Sequence, residues 1–191
     1  GHSQLYLMFA TKYGHSHFDP LTIAMFAYGH ELFPDIGYNY TKYRCWSEST
    51  FAHNTVTVDA SDAVFDEKSR HGGSLLLFDT GGGLQVIKTA WPEAYPTTEI
   101  YERELWRIGT DQDTDDAGYM VDMFRVKGGA RHEYVLYADA NHDAVMETKG
   151  NATDYRYIPE GVDVVYPDKA SEKGDPKGHY YAYMYPVDAR R

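Results

Sequence analysis

Cysteine is nearly absent: Cys45 is the only one in 191 residues. A lone cysteine excludes an internal disulfide framework and a cysteine-based zinc site. Long apolar runs are missing too. Nothing approaches the roughly 20 residues that a membrane-spanning helix needs, and no signal peptide opens the chain. Positive charge is in short supply, with a formal net charge of −11. That balance excludes a general nucleic-acid binder, which needs a basic patch. No long stretch carries a helical period, which argues against a helical bundle.

What is present is a chain that folds. A hydrophobic content of 42% and an aromatic content of 15% fit one globular domain over residues 1–191 with a sizeable core. The 18 tyrosines suit half-buried sheet surfaces. Their amphipathic rings also suit contacts with sugars.

Short apolar or β-branched runs alternate with turn residues along most of the chain. Leu5–Ala10 reads as a strand, and Leu21–Tyr28 as another between Pro20 and Gly29. Tyr38–Arg44 reads as a polar-aromatic loop, and His53–Asp59 as a β-branched strand. Ser74–Asp79 and Leu84–Trp91 flank a Gly-rich turn and predict a hairpin. Thr98–Ile108, Gly118–Lys127 and His132–Ala138 follow as strands. Asp111–Asp116 is an acidic hairpin tip, since it lacks the glycine and terminal glutamate of a calcium loop. Residues 139–178 are mostly loop, with short strands near Tyr155 and Val164, and His179–Tyr185 closes the sheet. The expected fold is all-β: an antiparallel β-sandwich, jelly-roll-like.

The chemistry concentrates in Tyr13–Asp19, which holds His15 and His17. Asp35 follows His17 by 18 positions, and His53 follows Asp35 by the same interval. Imidazole and carboxylate are the usual ligands of a zinc-type ion. At a spacing of two on an extended backbone, His15 and His17 would share a face, as a pair of candidate ligands.

Three blocks occur in order: Gly14-His15-Ser16-His17-Phe18-Asp19-Pro20-Leu21, then Phe33-Pro34-Asp35-Ile36-Gly37, then Ser49-Thr50-Phe51-Ala52-His53-Asn54-Thr55-Val56-Thr57-Val58-Asp59. Together with Tyr101-Glu102-Arg103 and the run Val121–Gly129, they resemble the heparinase II/III-like family of polysaccharide lyases. That family includes heparin lyases and oligoalginate lyases. The resemblance covers roughly residues 5–140. The family's opening block more often reads Gly-His-Gly-His, and here Thr11-Lys12-Tyr13 replaces its Gly-rich lead-in.

The resemblance implies a two-part enzyme in which this chain is the C-terminal sandwich and an N-terminal (α/α) toroid is its partner. It implies a structural zinc held by His17, Asp35 and His53. His15 then faces a substrate cleft, which requires the backbone to turn between Gly14 and His17. Tyr38 or Tyr40 is the acid, and Arg44 is a candidate for binding an anionic sugar. Asn54 is expected to bond backbone beside the zinc ligand, and His132 and Asp122 to be structural. The implied substrate is an anionic, uronate-containing polysaccharide or oligosaccharide, cleaved by β-elimination, and the implied location is bacterial periplasm or outside the cell. Two alternatives stand beside it. One is a non-catalytic carbohydrate-binding or scaffolding sandwich. The other is a cupin-like metal enzyme, disfavoured because Asp19 and the distant Glu31 are the next acids after His17.

Overall fold

The structure is a computed structural model, and it describes residues 3–10, 16–38, 44–64, 71–109, 118–139 and 141–142. Among these, every strand pairing is antiparallel, as the all-β expectation requires. Strands β1 (Gln4–Leu7), β2 (Ile23–Ala27) and β3 (His30–Phe33) form one sheet in that order. Strand β4 (Val56–Val58) pairs with β9 (His132–Tyr134). The largest sheet is a meander of β5 (Ser74–Gly81), β6 (Leu84–Ala90), β7 (Thr98–Gly109) and β8 (Gly118–Gly128).

Turn chemistry sets the hairpins. Gly82 and Gly83 both have positive φ, 56° and 82°. Their two-residue turn joins paired Gly81 and Leu84, the arrangement whose twist matches that of the flanking strands. Tyr28 (φ 55°) and Gly29 (φ 83°) do the same between Ala27 and His30. Tyr28 adopts this conformation despite its side chain, and the turn places His30 at the first position of β3.

The core lies between β4 and the inward face of the meander. On β7 alternate residues Tyr101, Arg103 and Leu105 are buried while the residues between them are not, which is the period-two signature of a strand. Tyr101 clusters with Leu21, Val56, Val58, Ala63, Trp91, Ala94 and Tyr95. Leu7, Phe9, Phe124 and Val126 pack against this group. Each fully buried aliphatic side chain, such as Leu21 or Leu105, contributes about 1.5–3 kcal/mol. Opposite this core, the edge strand β5 is solvent-facing along its whole length, including Leu75, Leu76, Leu77 and Phe78.

One buried charge joins the layers. Arg103 is fully buried, and all of its guanidinium nitrogens are engaged. Nε and Nη2 donate to the two Asp122 carboxylate oxygens at 3.0 and 2.5 Å. Nη1 donates to the carbonyls of Leu21 and Asn54, at 2.7 and 2.5 Å. Nη2 also reaches the Tyr134 hydroxyl at 3.3 Å. Asp122 is therefore structural, as expected from the sequence. So is His132, whose Nε2 lies 2.7 Å from the Gly128 carbonyl.

Three local expectations change. The strand expected over His53–Asp59 begins only at Val56. Upstream, the His53 N–H bonds to Thr50 O and the Thr55 N–H to His53 O, so short-range turns consume the donors that a ladder needs. The strand expected over His132–Ala138 stops at Tyr134, and Tyr137 N donates instead to the Asn54 side chain at 2.7 Å. The loop expected through Arg44 ends in a one-turn helix, α1 (Arg44–Ser47). The acidic tip at Asp111–Asp116, and the strands near Tyr155, Val164 and His179–Tyr185, lie outside the described residues.

Candidate metal centre

Three segments deliver the candidate ligands. His17 lies on the loop between β1 and β2, and the Phe18 N–H bonds to Glu48 O at 2.8 Å. Asp35 lies just beyond β3, where its Oδ1 accepts from the Gly37 N–H at 2.7 Å. Gly37 has φ of 71°, a conformation glycine adopts at little cost. His53 follows the 3-10 turn Thr50–Ala52. That turn is anchored by the Thr50 N–H on Asp62 Oδ1 at 2.8 Å and by the Ala63 N–H on Thr50 Oγ1 at 2.8 Å. Burial pushes the Asp62 carboxyl up to about 6, against those stabilising bonds from Thr50.

These segments meet. The ligand atoms of His17, Asp35 and His53 all lie within 4.8 Å of one another. His17 Nδ1 is 3.0 Å from His53 Nε2, and His53 Nε2 is 3.6 Å from Asp35 Oδ2. His53 is 1% exposed and His17 8%, while the Asp35 side chain is 36% exposed. The group therefore opens to solvent on the carboxylate side. His53 Nδ1 lies 2.7 Å from the Ser49 carbonyl. A carbonyl only accepts, so Nδ1 carries the proton, and in the neutral ring Nε2 presents its lone pair to the other two residues.

Asn54 braces the group. Its Nδ2 donates to Ile23 O and Pro34 O, both at 3.0 Å, and its Oδ1 accepts from Tyr137 N. One amide thus ties β2, the residue before Asp35 and the segment after β9 to the residue after His53. This agrees with its expected backbone-bonding role.

Beside the group stand Tyr38 and Arg44. The Tyr38 ring stacks on the His17 ring at a centroid distance of 5.7 Å and an interplanar angle of 18°. Arg44 Nη2 donates to the Tyr38 hydroxyl, and its guanidinium carbon sits 4.6 Å from the ring centroid. Arg44 Nε donates to Glu48 Oε1 at 2.6 Å. The arginine expected to meet an anionic sugar is thus engaged by a phenol and a carboxylate within the chain. His15 and Tyr40 lie outside the described residues, as does the backbone turn expected after Gly14.

Sequence reading did not single out Ser49, Glu48 or Asp62 for this site. Ser49 contributes only a backbone carbonyl, for which side-chain identity carries no signal. Arg103 was not singled out either: apolar residues fall on both faces of Thr98–Ile108, so the sequence does not mark which face turns inward.

A family model described as heparinase II/III-like, C-terminal, matches residues 6–171. None of the curated proteins matches the chain. Among solved structures, the heparinase III BT4657 gene product is 24% identical with a TM-score of 0.56, over 81% of this chain and 22% of its own. A heparinase III is 17% identical with a TM-score of 0.59, over 78% and 24%. The heparan sulfate lyase HepC from Pedobacter heparinus is 23% identical with a TM-score of 0.52, over 66% and 19%. The chain thus spans less than a quarter of each of these structures, and likeness at such identities shows a shared fold. With the family model matching most of its length, the chain belongs to the heparinase II/III-like family, as its C-terminal β-sandwich domain.

Proposed function

We propose that this domain is the sandwich portion of a lyase that cleaves a uronate-containing polysaccharide by β-elimination, and that His17, Asp35 and His53 hold a structural zinc ion. The observation that carries the reading is the convergence of that triad against the Tyr38–Arg44 pair. The donor set fits the ion. Two imidazoles and a carboxylate are zinc ligands, and ligands about 2.0–2.1 Å from a tetrahedral ion lie about 3.3 Å apart. The observed 3.0 and 3.6 Å separations bracket that value. The carbonyl bonded to His53 Nδ1 is the kind of outer partner that fixes a metal-binding tautomer. When bound, the ion supplies a cross-link between the His17 loop, the Asp35 turn and the His53 segment.

In such an elimination a base removes the proton on C5 of the uronate. The freed electron pair forms the C4–C5 double bond, the C4–O bond breaks, and an acid protonates the departing oxygen. Tyr38 is the residue we assign as the acid. Its hydroxyl donates a proton to the leaving oxygen, and the Arg44 guanidinium, already bonded to that hydroxyl, stabilises the phenolate left behind. The stack on His17 fixes the ring's orientation. His15 neutralises the substrate carboxylate, so that the C5 proton becomes acidic enough to remove. The remaining groups come from the (α/α) toroid domain. We place the lyase's action in the periplasm or outside the cell, where such polymers are met.

The test is an assay of the protein bearing both toroid and sandwich against heparan sulfate, chondroitin, hyaluronan and alginate. Unsaturated uronate products absorb in the far ultraviolet, and their appearance on at least one polymer is the expected result. No absorbance rise on any of the four overturns the lyase assignment. Activity that survives both Tyr38→Phe and His15→Ala reduces the sandwich to a scaffold.

A further inference from the structure

A second group of metal-ligating side chains lies away from the His17 triad. His30, Asp139 and His142 bring their ligand atoms within 4.8 Å of one another. We infer that these three residues form a separate binding site for a zinc-type transition-metal ion, joining the β2–β3 hairpin to the chain that leaves β9.

The fold builds the site from two distant segments. The positive-φ turn at Tyr28 and Gly29 sets His30 at the hairpin tip. Beyond β9, Tyr137 N bonds to Asn54 Oδ1 and Tyr137 OH to Phe51 O, so the backbone reaching Asp139 is held against the body of the domain. Asp139 Oδ1 accepts from both the backbone N–H and the side-chain amide of Asn141, at 2.8 and 2.9 Å. Oδ2 is left to face the histidines and lies 2.7 Å from His142 Nδ1. The His30 ring meets the His142 ring edge-on, with centroids 4.8 Å apart and planes at 87°.

The chemistry of the donors selects the ion. Two imidazoles and one carboxylate suit zinc, nickel or copper, whereas calcium and magnesium take oxygen ligands. Tetrahedral closure needs donors about 3.3 Å apart, which exposed imidazoles reach by side-chain rotation. The His142 side chain is 61% exposed and that of Asp139 13%, so water completes the coordination and the ion exchanges readily. The site asks nothing of the first triad and stands whether or not that triad holds a metal.

The test uses zinc alone. The full chain is stripped with a chelator and titrated with zinc against a chromophoric competitor, and circular dichroism checks each variant's fold. His30→Gln and His142→Gln are each expected to bind one zinc equivalent fewer than the parent. His53→Ala leaves that equivalent in place, and His71→Gln, an exposed histidine elsewhere, leaves the stoichiometry unchanged. Parent stoichiometry in both His30→Gln and His142→Gln overturns the site. Imidazole resonances followed by NMR give a second readout. Zinc should shift His30 and His142 together, and a shift of His142 without His30 overturns the three-ligand site.

Discussion

Arg103 donates a hydrogen bond from Nη1 to the carbonyl oxygen of Asn54 at 2.5 Å, across 49 positions of sequence. The same guanidinium holds Asp122 through both carboxylate oxygens. The interior of the meander is thereby bonded to the residue that follows His53. Removing one partner of a buried ion pair leaves the other charge uncompensated, at a cost of about 3–5 kcal/mol. Arg103→Met and Asp122→Ala should each destabilise the domain by that order in urea unfolding. The double variant Arg103→Met/Asp122→Leu should lose clearly less than the two single losses combined. Additive losses would mean that the two residues do not act as a pair.

Chelator treatment tests the triad, and the His142→Gln background removes the second site from the measurement. A ligand at 100 times its Kd stabilises the native state by about 2.7 kcal/mol. Zinc should therefore raise the Tm of the stripped domain by several degrees, and His53→Ala should abolish the rise. Asn54→Ala keeps the ligands but loses the bonds to Ile23 O, Pro34 O and Tyr137 N, so zinc affinity should fall about 10–100-fold, as for other outer partners. A Tm indifferent to zinc in the parent would remove the metal from the account.

Tyr38 and Arg44 separate by chemistry. In the two-domain protein Tyr38→Phe keeps the aromatic stack on His17 and removes only the hydroxyl. We expect kcat to fall about 10²–10⁴-fold, with KM and zinc content nearly unchanged. Arg44→Lys should lower kcat less, because an ammonium keeps the charge but not the fixed fork that spans the phenol and Glu48. Full activity in Tyr38→Phe would move the acid to another residue.

Asp62 predicts a pH dependence with a definite sign. Its carboxyl titrates near 6 when folded, against an ordinary value of 3.8. Between these values the native state retains a proton that the unfolded state has released. Stability is therefore lost as pH rises through that window. Asp62→Asn keeps an oxygen to accept from the Thr50 N–H and cannot ionise. Urea unfolding from pH 4 to 7 should show a flatter profile in the variant, with a gain at pH 7 of at most about 3 kcal/mol. Parallel profiles for variant and parent would show that Asp62 is not the group responsible.

The sequence by itself determined the strands of the meander and the β5–β6 hairpin, but not β3 or the extents of β4 and β9. Apolar residues along Thr98–Ile108 and glycine at Gly82 and Gly83 act over a few residues, and the structure places β7 and the β5–β6 turn there. It also named the residue types of the candidate centre, because imidazoles and a carboxylate at regular intervals are visible without coordinates. Its overreach at His53–Asp59 has a local cause: β-branched residues favour a strand, but the donors of His53 and Thr55 were already taken by turns. Other relationships belonged to tertiary structure alone. The stack of Tyr38 on His17 is one of them, because neither residue's position in a loop foretells the contact. The Asn54 brace and the meeting of His30 with Asp139 and His142 join segments far apart in the chain. Such contacts follow from how the layers pack, and periodicity and propensity act over too few residues to encode them.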